Sequence, residues 1–255
     1  MKRCVVILLM SCLAGIFTLS AQPVTHYSYI VRASYPHATD SYTQGLEFAE
    51  GQLYESTGEY GKSRLLKVDL RSGATEQLAQ LPKNHFGEGL TIVGDTIYQL
   101  TWRENHLHLY DRKSGKLIGS KRYNGEGWGL CSDGERIYLS DGSNYITVRD
   151  PKSFEVLDRQ PVVVNDRAAE YLNELEWIDG RIWANIYTTD MIVIINPTNW
   201  SVEGIIDLTG LLPNRLRTPQ TDVLNGIARN PKDGRIYVTG KNWSKLYEIE
   251  ITPTL

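Results

Sequence analysis

The sequence predicts an all-β fold built from repeated units, and two observations carry that prediction. From Tyr27 onward, short runs that alternate apolar and polar residues are separated by turn residues, and no long helical periodicity occurs. An aliphatic residue followed by an aromatic one also recurs, with steps of 44, 40, 45 and 54 residues between the aromatic positions. The pairs are Leu53-Tyr54, Ile97-Tyr98, Ile137-Tyr138, Ile182-Trp183 and Ile236-Tyr237. A period of this length is typical of a repeat architecture.

Two further features accompany the pairs. After each of the first four pairs, an Asp or Asn begins a tight turn, a role in which its side chain binds backbone amides ahead of it; these residues are Asp69, Asp111, Asp150 and Asn196. Before every pair, a polar or aromatic residue stands at the start of an apolar strand. The five strand starts are Gln44-Gly45-Leu46, Glu88-Gly89-Leu90, Trp128-Gly129-Leu130, Asn173-Glu174-Leu175 and Asn225-Gly226-Ile227.

Four strands in a unit of about 40–45 residues predict a five-bladed β-propeller with four-stranded antiparallel blades, in one domain over residues 22–255. The last unit shows only three clear strands, so we expect the N-terminal run Tyr27–Ala33 to supply its fourth and close the ring. The longer last step leaves room for an insertion from Asp207 to Asp222, which we expect to be a loop on one rim with a helical turn.

The first 21 residues are predicted to be a signal peptide rather than part of the fold. Lys2 and Arg3 precede an apolar run from residue 5 to 19, and small residues follow up to Ala21. The run is too short and interrupted for a stable membrane span. We therefore expect an exported protein, periplasmic or secreted; Cys12 leaves lipidation open as the alternative.

Composition excludes several classes of function. The formal net charge of −3 does not indicate a basic surface that would bind nucleic acid. Only Cys131 remains after the leader, so no internal disulfide forms, and we expect a monomer held by its own core. The five His show no zinc spacing; His106 and His108 are interpreted as a surface pair on one face of a strand.

The five strand starts meet at one mouth of the predicted channel. This places an acid, three amides and an indole around one point, as a small-molecule site would require; they are Gln44, Glu88, Trp128, Asn173 and Asn225. Polar residues there can equally satisfy backbone groups and channel waters. Geometry alone leaves both interpretations open and names no reaction.

Seven motifs in order along nearly the whole mature chain resemble the plant and bacterial glutaminyl cyclases, which are five-bladed propellers unlike the animal zinc enzymes. They are Gln44-Gly45-Leu46, Gly87-Glu88-Gly89-Leu90-Thr91, Leu100-Thr101-Trp102, Gly127-Trp128-Gly129-Leu130, Leu172-Asn173-Glu174-Leu175-Glu176, Trp183-Ala184-Asn185-Ile186-Tyr187 and Leu224-Asn225-Gly226-Ile227-Ala228. The resemblance implies conversion of N-terminal glutamine in peptides and proteins to pyroglutamate with loss of ammonia.

The resemblance also implies residue roles. Glu88 matches the catalytic acid/base, while Gln44, Trp102, Trp128, Asn173 and Lys241 match substrate-binding positions. Tyr187 stands where the family often has Trp, which alters one pocket wall rather than the reaction. No cofactor is implied for catalysis, and a structural Ca²⁺ in the channel is implied without identified ligands.

The chemistry of these residues agrees with a cyclase. An α-ammonium has a pKa of about 7.7–8.0, so a carboxylate can take its proton near neutral pH. Two alternatives stay open at this point. One is a Ca²⁺-dependent propeller lactonase or hydrolase with Glu88, Asn173, Glu174 and Asn225 as oxygen ligands. The other is a binding propeller without catalysis.

Overall fold

The computed structural model describes residues 23–254, and the predicted signal peptide lies outside them. The all-β prediction is confirmed. The strands are β1 (Thr25–Pro36), β2 (Thr43–Ala49), β3 (Gln52–Thr57), β4 (Arg64–Val68), β5 (Thr75–Gln80), β6 (Gly87–Val93), β7 (Thr96–Thr101), β8 (His106–Asp111), β9 (Leu117–Arg122), β10 (Leu130–Ser132), β11 (Ile137–Ser140), β12 (Tyr145–Arg149), β13 (Val156–Pro161), β14 (Val163–Val164), β15 (Arg167–Ala168), β16 (Leu172–Ile178), β17 (Arg181–Ile186), β18 (Met191–Asn196), β19 (Ser201–Asp207), β20 (Leu224–Arg229), β21 (Ile236–Gly240) and β22 (Lys245–Pro253).

The strands form five antiparallel sets of four. Sets one to three are the separate sheets β2–β5, β6–β9 and β10–β13. Set four is β16–β19, and set five is β20–β22 completed by β1. The N-terminal strand β1 pairs antiparallel with β22 from Tyr27↔Pro253 to Pro36↔Lys245, which confirms its prediction as the fourth strand of the last unit.

One pairing was not predicted from the sequence. The beginning of β1 also pairs in parallel with β19, with Thr25 opposite Gly204. This joins sets four and five, together with the short strands β14 and β15, into one ten-stranded sheet. The backbone groups at the start of β1 therefore find partners on both sides, which protects an edge that would otherwise be open.

The aliphatic-aromatic pairs build the core between neighbouring sets. Successive residues of a strand point to opposite faces, so each pair packs its two members against different neighbours. In set two, Ile97 lies in the apolar cluster shared with set one, while Tyr98 lies in the cluster shared with set three. The same division holds in every set, and the last cluster joins set five back to set one through Tyr237 and Leu53. The repeat in the sequence thus marks the five apolar clusters between the sets.

Turns and the insertion follow the predicted chemistry. Asp69 Oδ1 accepts the backbone N–H of Ser72 at 2.8 Å, and Asp111 repeats the same contact with Ser114. The segment between β19 and β20 is a loop with a single 3₁₀ turn, Asn214–Leu216, as expected. In residues 23–254 no helix is long and apolar enough to span a membrane.

Candidate active site

Nine side chains line a cavity of about 260 Å³ where the first strands of the sets begin and their second strands end. They are Tyr42, Gln44, Phe86, Glu88, Trp102, Trp128, Asn173, Tyr187 and Lys241. Antiparallel pairing puts the start of a first strand beside the end of the second, so both supply residues to the same mouth. All seven site residues that the family resemblance implies are therefore brought together here.

The strand starts provide the polar half of the cavity. Gln44, Glu88 and Asn173 are each the second residue of a first strand, and Trp128 lies two residues before β10. Asn225 is the exception to the predicted circle, because it is fully buried behind Gln44. Its Nδ2 donates to Gln44 Oε1 at 3.2 Å and to the Thr43 carbonyl at 3.0 Å. Asn225 therefore supports a cavity residue instead of lining the cavity.

Glycines next to the strand starts let neighbouring first strands approach closely. A Cβ built on Gly89 would lie 2.6 Å from the backbone N of Leu130, a clash with main chain that cannot move aside. The Gly89 N–H also donates to the Trp128 carbonyl at 2.7 Å, which ties set two to set three at this point. Gly45 and Gly129 meet the next set in the same way. The strand starts are thus held by direct backbone contact around the centre.

The ends of the second strands provide three more lining residues. Trp102 immediately follows β7, Tyr187 follows β17 and Lys241 follows β21. The Trp102 backbone is held on both sides, because its N–H donates to the Phe86 carbonyl at 2.9 Å and its carbonyl accepts from Gly127 at 3.0 Å. In sets one and three glycines stand at or near the equivalent position, and a Cβ on Gly142 would lie 2.5 Å from the Trp128 ring.

Glu88 is an acid in an apolar enclosure. Glu88 is only 5% exposed, and within residues 23–254 its carboxylate makes no side-chain hydrogen bond or ion pair. Burial raises the pKa of Glu88 well above its ordinary value, Lys241 opposes that rise, and the charges of Glu104 and Glu126 add to it. Ser56 Oγ donates to the Glu88 carbonyl and fixes the main chain. A buried carboxyl with a raised pKa can both take and return a proton near neutral pH.

Lys241 lines the same cavity as Glu88, and its ammonium lies near two aromatic rings. Its Nζ lies 4.9 Å from the ring centroid of Tyr42 and 5.0 Å from that of Tyr187, both within cation–π range. Burial lowers the pKa of Lys241, against the charges of Glu88 and Asp222. Asp222 also accepts the Tyr42 hydroxyl at 2.9 Å. Burial shifts the pKa values of both Glu88 and Lys241 toward the neutral forms, while the attraction between their opposite charges favours the charged pair.

Two amides offer hydrogen bonds to a ligand. Gln44 has its Oε1 engaged by Asn225, so its Nε2 is the end left for the cavity. Asn173 is 2% exposed, and its Oδ1 is buried with no hydrogen-bond partner in the described part of the chain. A buried amide oxygen without a partner is costly unless a bound group donates to it. The two amides are therefore suited to a ligand with both carbonyl and N–H groups.

Aromatic rings form the walls. Phe86 and Trp102 pack edge-to-face with ring centroids 5.7 Å apart, and Trp128 and Tyr187 do so at 5.4 Å. Tyr42 and Phe86 were not predicted as site residues. A signal for them was present: each lies two residues before a predicted strand start, Gln44 or Glu88, and residues two apart share a face of a strand.

Within residues 23–254, no group of three or more His, Cys, Asp or Glu side chains is placed to hold a metal ion. The carboxylates between the first strands are directed at backbone amides instead. Glu174 accepts from Ile227 at 2.9 Å and from Leu46 at 3.2 Å, and Glu176 accepts from Arg229 at 2.8 Å. This set does not fit the implied channel Ca²⁺ as a converging ligand shell.

The histidine pair differs from its prediction in one respect. His106 and His108 do share a face of β8, with parallel rings 6.0 Å apart. His108 is buried, however, and not on the surface, because His85 covers it and lies within hydrogen-bond distance at 2.9 Å. Burial and the neighbouring imidazoles lower the pKa of His108 to about 4, so the ring is neutral at physiological pH.

Comparison with known proteins gives a consistent result. A family model described as glutamine cyclotransferase matches residues 4–251. Glutaminyl-peptide cyclotransferase of Arabidopsis thaliana is 42% identical over 225 residues, which cover 87% of this chain and 70% of that protein. The crystal structure of Myxococcus xanthus glutaminyl cyclase is 35% identical with a TM-score of 0.83, covering 91% of this chain and all of that one. This chain therefore belongs to the glutamine cyclotransferase family.

Proposed function

We propose that this protein is a glutaminyl-peptide cyclotransferase that converts the N-terminal glutamine of peptides and proteins to pyroglutamate and releases ammonia. The observation that carries the proposal is Glu88, a carboxyl buried in an aromatic-walled cavity with two amides and a lysine around it. The similarity to cyclotransferases over most of the chain supports the same activity.

The reaction begins with a proton transfer. The α-ammonium of the substrate enters beside Glu88 and gives one proton to its carboxylate, which leaves the amine free to attack. Because the pKa of Glu88 is raised, it lies closer to the pKa of an α-ammonium, about 7.7–8.0. Transfer of the proton from the ammonium to the carboxylate therefore costs little free energy. The aromatic walls exclude water and keep the side chain folded, so that nucleophile and carbonyl of one molecule are already close.

The amine nitrogen then forms a bond to the γ-carboxamide carbon and closes a five-membered ring. Negative charge develops on the carboxamide oxygen, and we assign its stabilisation to Gln44 Nε2 and the Lys241 ammonium, which both line the cavity. Asn173 Oδ1 accepts an N–H of the substrate and orients it. The C–N bond of the carboxamide finally breaks, and the protonated Glu88 returns its proton to the leaving nitrogen. The ring nitrogen gives up its second proton to the departing ammonia, so the products are pyroglutamate and ammonium and Glu88 is again a carboxylate.

We also propose that the five sets are the blades of one five-bladed β-propeller. First strands contact each other in the cyclic order β2, β6, β10, β16, β20 and back to β2, which supports a closed ring. The five apolar clusters lie between the same successive sets. An experimental structure with an open sheet, or with another number of units around the centre, would refute this arrangement.

The direct test uses purified protein and a synthetic peptide that begins with glutamine. We expect mass spectrometry to show loss of one ammonia from this peptide and none from the same peptide with an acetylated N-terminus. The acetylated control lacks the nucleophilic amine but keeps the carboxamide. Absence of turnover on any glutamine-initiated peptide would support a binding propeller, and hydrolysis of a lactone instead would support the hydrolase alternative.

Cyclisation is expected to survive EDTA, because one carboxyl and the donors around it suffice for every proton step. Activity after chelation and buffer exchange should stay within about twofold of the untreated protein, too small a change for loss of an essential metal. Complete loss that added metal restores without refolding would contradict this expectation. A fall in melting temperature alone would instead indicate a structural ion, as the resemblance implies for the channel.

Trp102→Ala and Trp128→Ala are each expected to raise KM and lower kcat, because the walls both bind the glutamine and keep it folded. Loss of a buried indole contact costs on the order of 2 kcal/mol, so KM should rise by about tenfold or more. The matched control is Trp200→Ala, a tryptophan outside the cavity. Lower melting temperature with unchanged kinetics of the folded fraction would show that the two rings serve only packing.

We propose export of the protein on the sequence of residues 1–21, which N-terminal analysis of the exported form tests. An intact Lys2-Arg3 end on the exported protein would refute cleavage. The monomeric state stays a prediction from composition, and sedimentation analysis measures it.

A further inference from the structure

Glu126 is a charged residue beside the cavity that neither the sequence analysis nor the proposed reaction uses. One of its oxygens, Oε2, accepts the indole Nε1–H of Trp102 at 2.7 Å and that of Trp128 at 3.0 Å. Its other oxygen accepts Arg103 Nε at 2.9 Å. The Arg103 guanidinium also lies 3.8 Å from the Trp102 ring centroid. One carboxylate thus connects both indole walls and the cation that covers one of them.

We propose that Glu126 is a positioning residue that sets the distance and orientation of the two indole walls by accepting a hydrogen bond from each. The inference rests on the proposed cyclase function and names a determinant of its substrate fit. Glu126 itself does not line the cavity, so it acts through Trp102 and Trp128.

Glu126 relates the orientations of the two rings to each other, because it accepts a hydrogen bond from both, whereas Phe86 packs on Trp102 and Tyr187 packs on Trp128. The Trp102 backbone is fixed by hydrogen bonds to Phe86 and Gly127, and the Trp128 N–H donates to the Ser140 carbonyl at 2.9 Å. With both main chains held, only side-chain rotation remains free, and a shared acceptor fixes both rotations together. A hydrogen bond to an ionised acceptor is stronger than one between neutral groups.

The repeat supports the same assignment. Tyr42 and Phe86 line the cavity from the position two residues before the strand starts of sets one and two. Glu126 occupies that position before Trp128 in set three. Where the first two sets place an aromatic wall directly, the third set places a carboxylate that holds two aromatic walls.

Charge gives Glu126 a second, separable effect. Its carboxylate and that of Glu104 raise the pKa of Glu88, while Lys241 lowers it, and Arg103 faces Glu126 as a partly compensating cation. Removing the Glu126 charge therefore lowers the pKa of Glu88. The acid limb of the pH profile of kcat/KM should move to lower pH in any variant without this charge.

The test combines kinetics with NMR of ¹⁵N-labelled indoles, of which the chain has six. Glu126→Ala should raise KM for a glutamine-initiated peptide by about tenfold and shift the two indole signals of Trp102 and Trp128. Glu126→Gln keeps a carbonyl acceptor for the indoles and should restore KM to within about threefold of wild type. Both variants should move the acid limb to lower pH.

Glu126→Asp separates the effect of the carboxylate's position from the effect of its charge. It also replaces Glu126→Ala as the test if the alanine variant fails to fold. It keeps the charge but withdraws the oxygens from the rings, so KM should rise and the two signals should shift while the acid limb stays in place. Glu104→Gln is the charge control, because within residues 23–254 Glu104 accepts no hydrogen bond from an indole and instead accepts from the Phe86 N–H and the Tyr60 hydroxyl. It should move the acid limb without shifting either indole signal.

The proposal is overturned if KM of Glu126→Ala, or of Glu126→Asp, stays within about twofold of wild type and neither indole signal moves, the behaviour of a surface ion pair with Arg103. Failure of the proposed function is distinct: wild-type protein would then not cyclise the peptide, yet the indole signals would still report whether Glu126 holds the rings.

Discussion

Glu88→Gln is expected to lower kcat by at least about 10²-fold, the lower end of the range for loss of general acid–base assistance. Gln keeps the shape of the side chain but cannot accept the ammonium proton or return it to ammonia. Because Glu88 makes no side-chain hydrogen bond within the described residues, the fold loses no partner. Removing a buried carboxyl with a raised pKa should therefore leave the melting temperature unchanged or slightly higher. Steady-state kinetics and thermal unfolding measure the two effects.

The matched control is Glu59→Gln. Glu59 lies outside the cavity and its carboxylate pairs with Lys62 at 3.0 Å. The kcat of the Glu59→Gln variant should equal that of the wild type. Retention of more than about a tenth of wild-type kcat in Glu88→Gln is outside the expected range and would remove Glu88 from the proton steps.

Lys241→Met is expected to lower kcat by about 10²–10³-fold, the effect of losing one charged donor at a developing oxyanion. Met keeps the unbranched stem between the rings of Tyr42 and Tyr187 but removes the cation. The pH profile should change as well. Lys241 lowers the pKa of Glu88, so its removal raises that pKa further, and the acid limb of kcat/KM moves to higher pH.

An exposed lysine supplies the comparison for that variant. Lys62→Met removes a surface cation whose one ion pair within residues 23–254 is with Glu59, and both kcat and the acid limb should stay in place. If Lys241→Met keeps kcat within about threefold of wild type, Lys241 is a packing residue between two tyrosines and not a stabiliser of charge.

The repeating unit of the fold could be predicted from the sequence, because the repeat comes from adjacent residues that each pack in the core. Each aliphatic-aromatic pair packs one member on each neighbour, so the period of the core is visible without knowing the tertiary structure. The parallel pairing of β1 with β19 has no such mark. It depends on how the N-terminal strand lies between β19 and β22, which composition and alternation do not encode.

The site shows the same limit. Residues at strand starts could be predicted because glycine follows several of them, and the residues at second-strand ends came from family resemblance. The roles of Asn225 and Glu126 depend on side-chain direction within a segment. Asn225 turns behind Gln44, and Glu126 turns toward two indoles, although both stand at or near strand starts like their lining counterparts. The spacing of such residues along the sequence predicts where in the fold they lie, but not the direction in which their side chains point.

The close backbone contact at Gly45, Gly89 and Gly129 has a consequence for how this enzyme can change its substrates. A side chain added at Gly45, Gly89 or Gly129 would clash with the main chain of the next set, so the backbone next to each of these strand starts is fixed by its neighbour. Trp102 and Tyr187 follow second strands outside this contact ring, where a new side chain alters the pocket wall. Divergence in substrate preference should therefore accumulate at these peripheral positions, while the strand starts to which we assign the reaction stay fixed by the assembly of the fold.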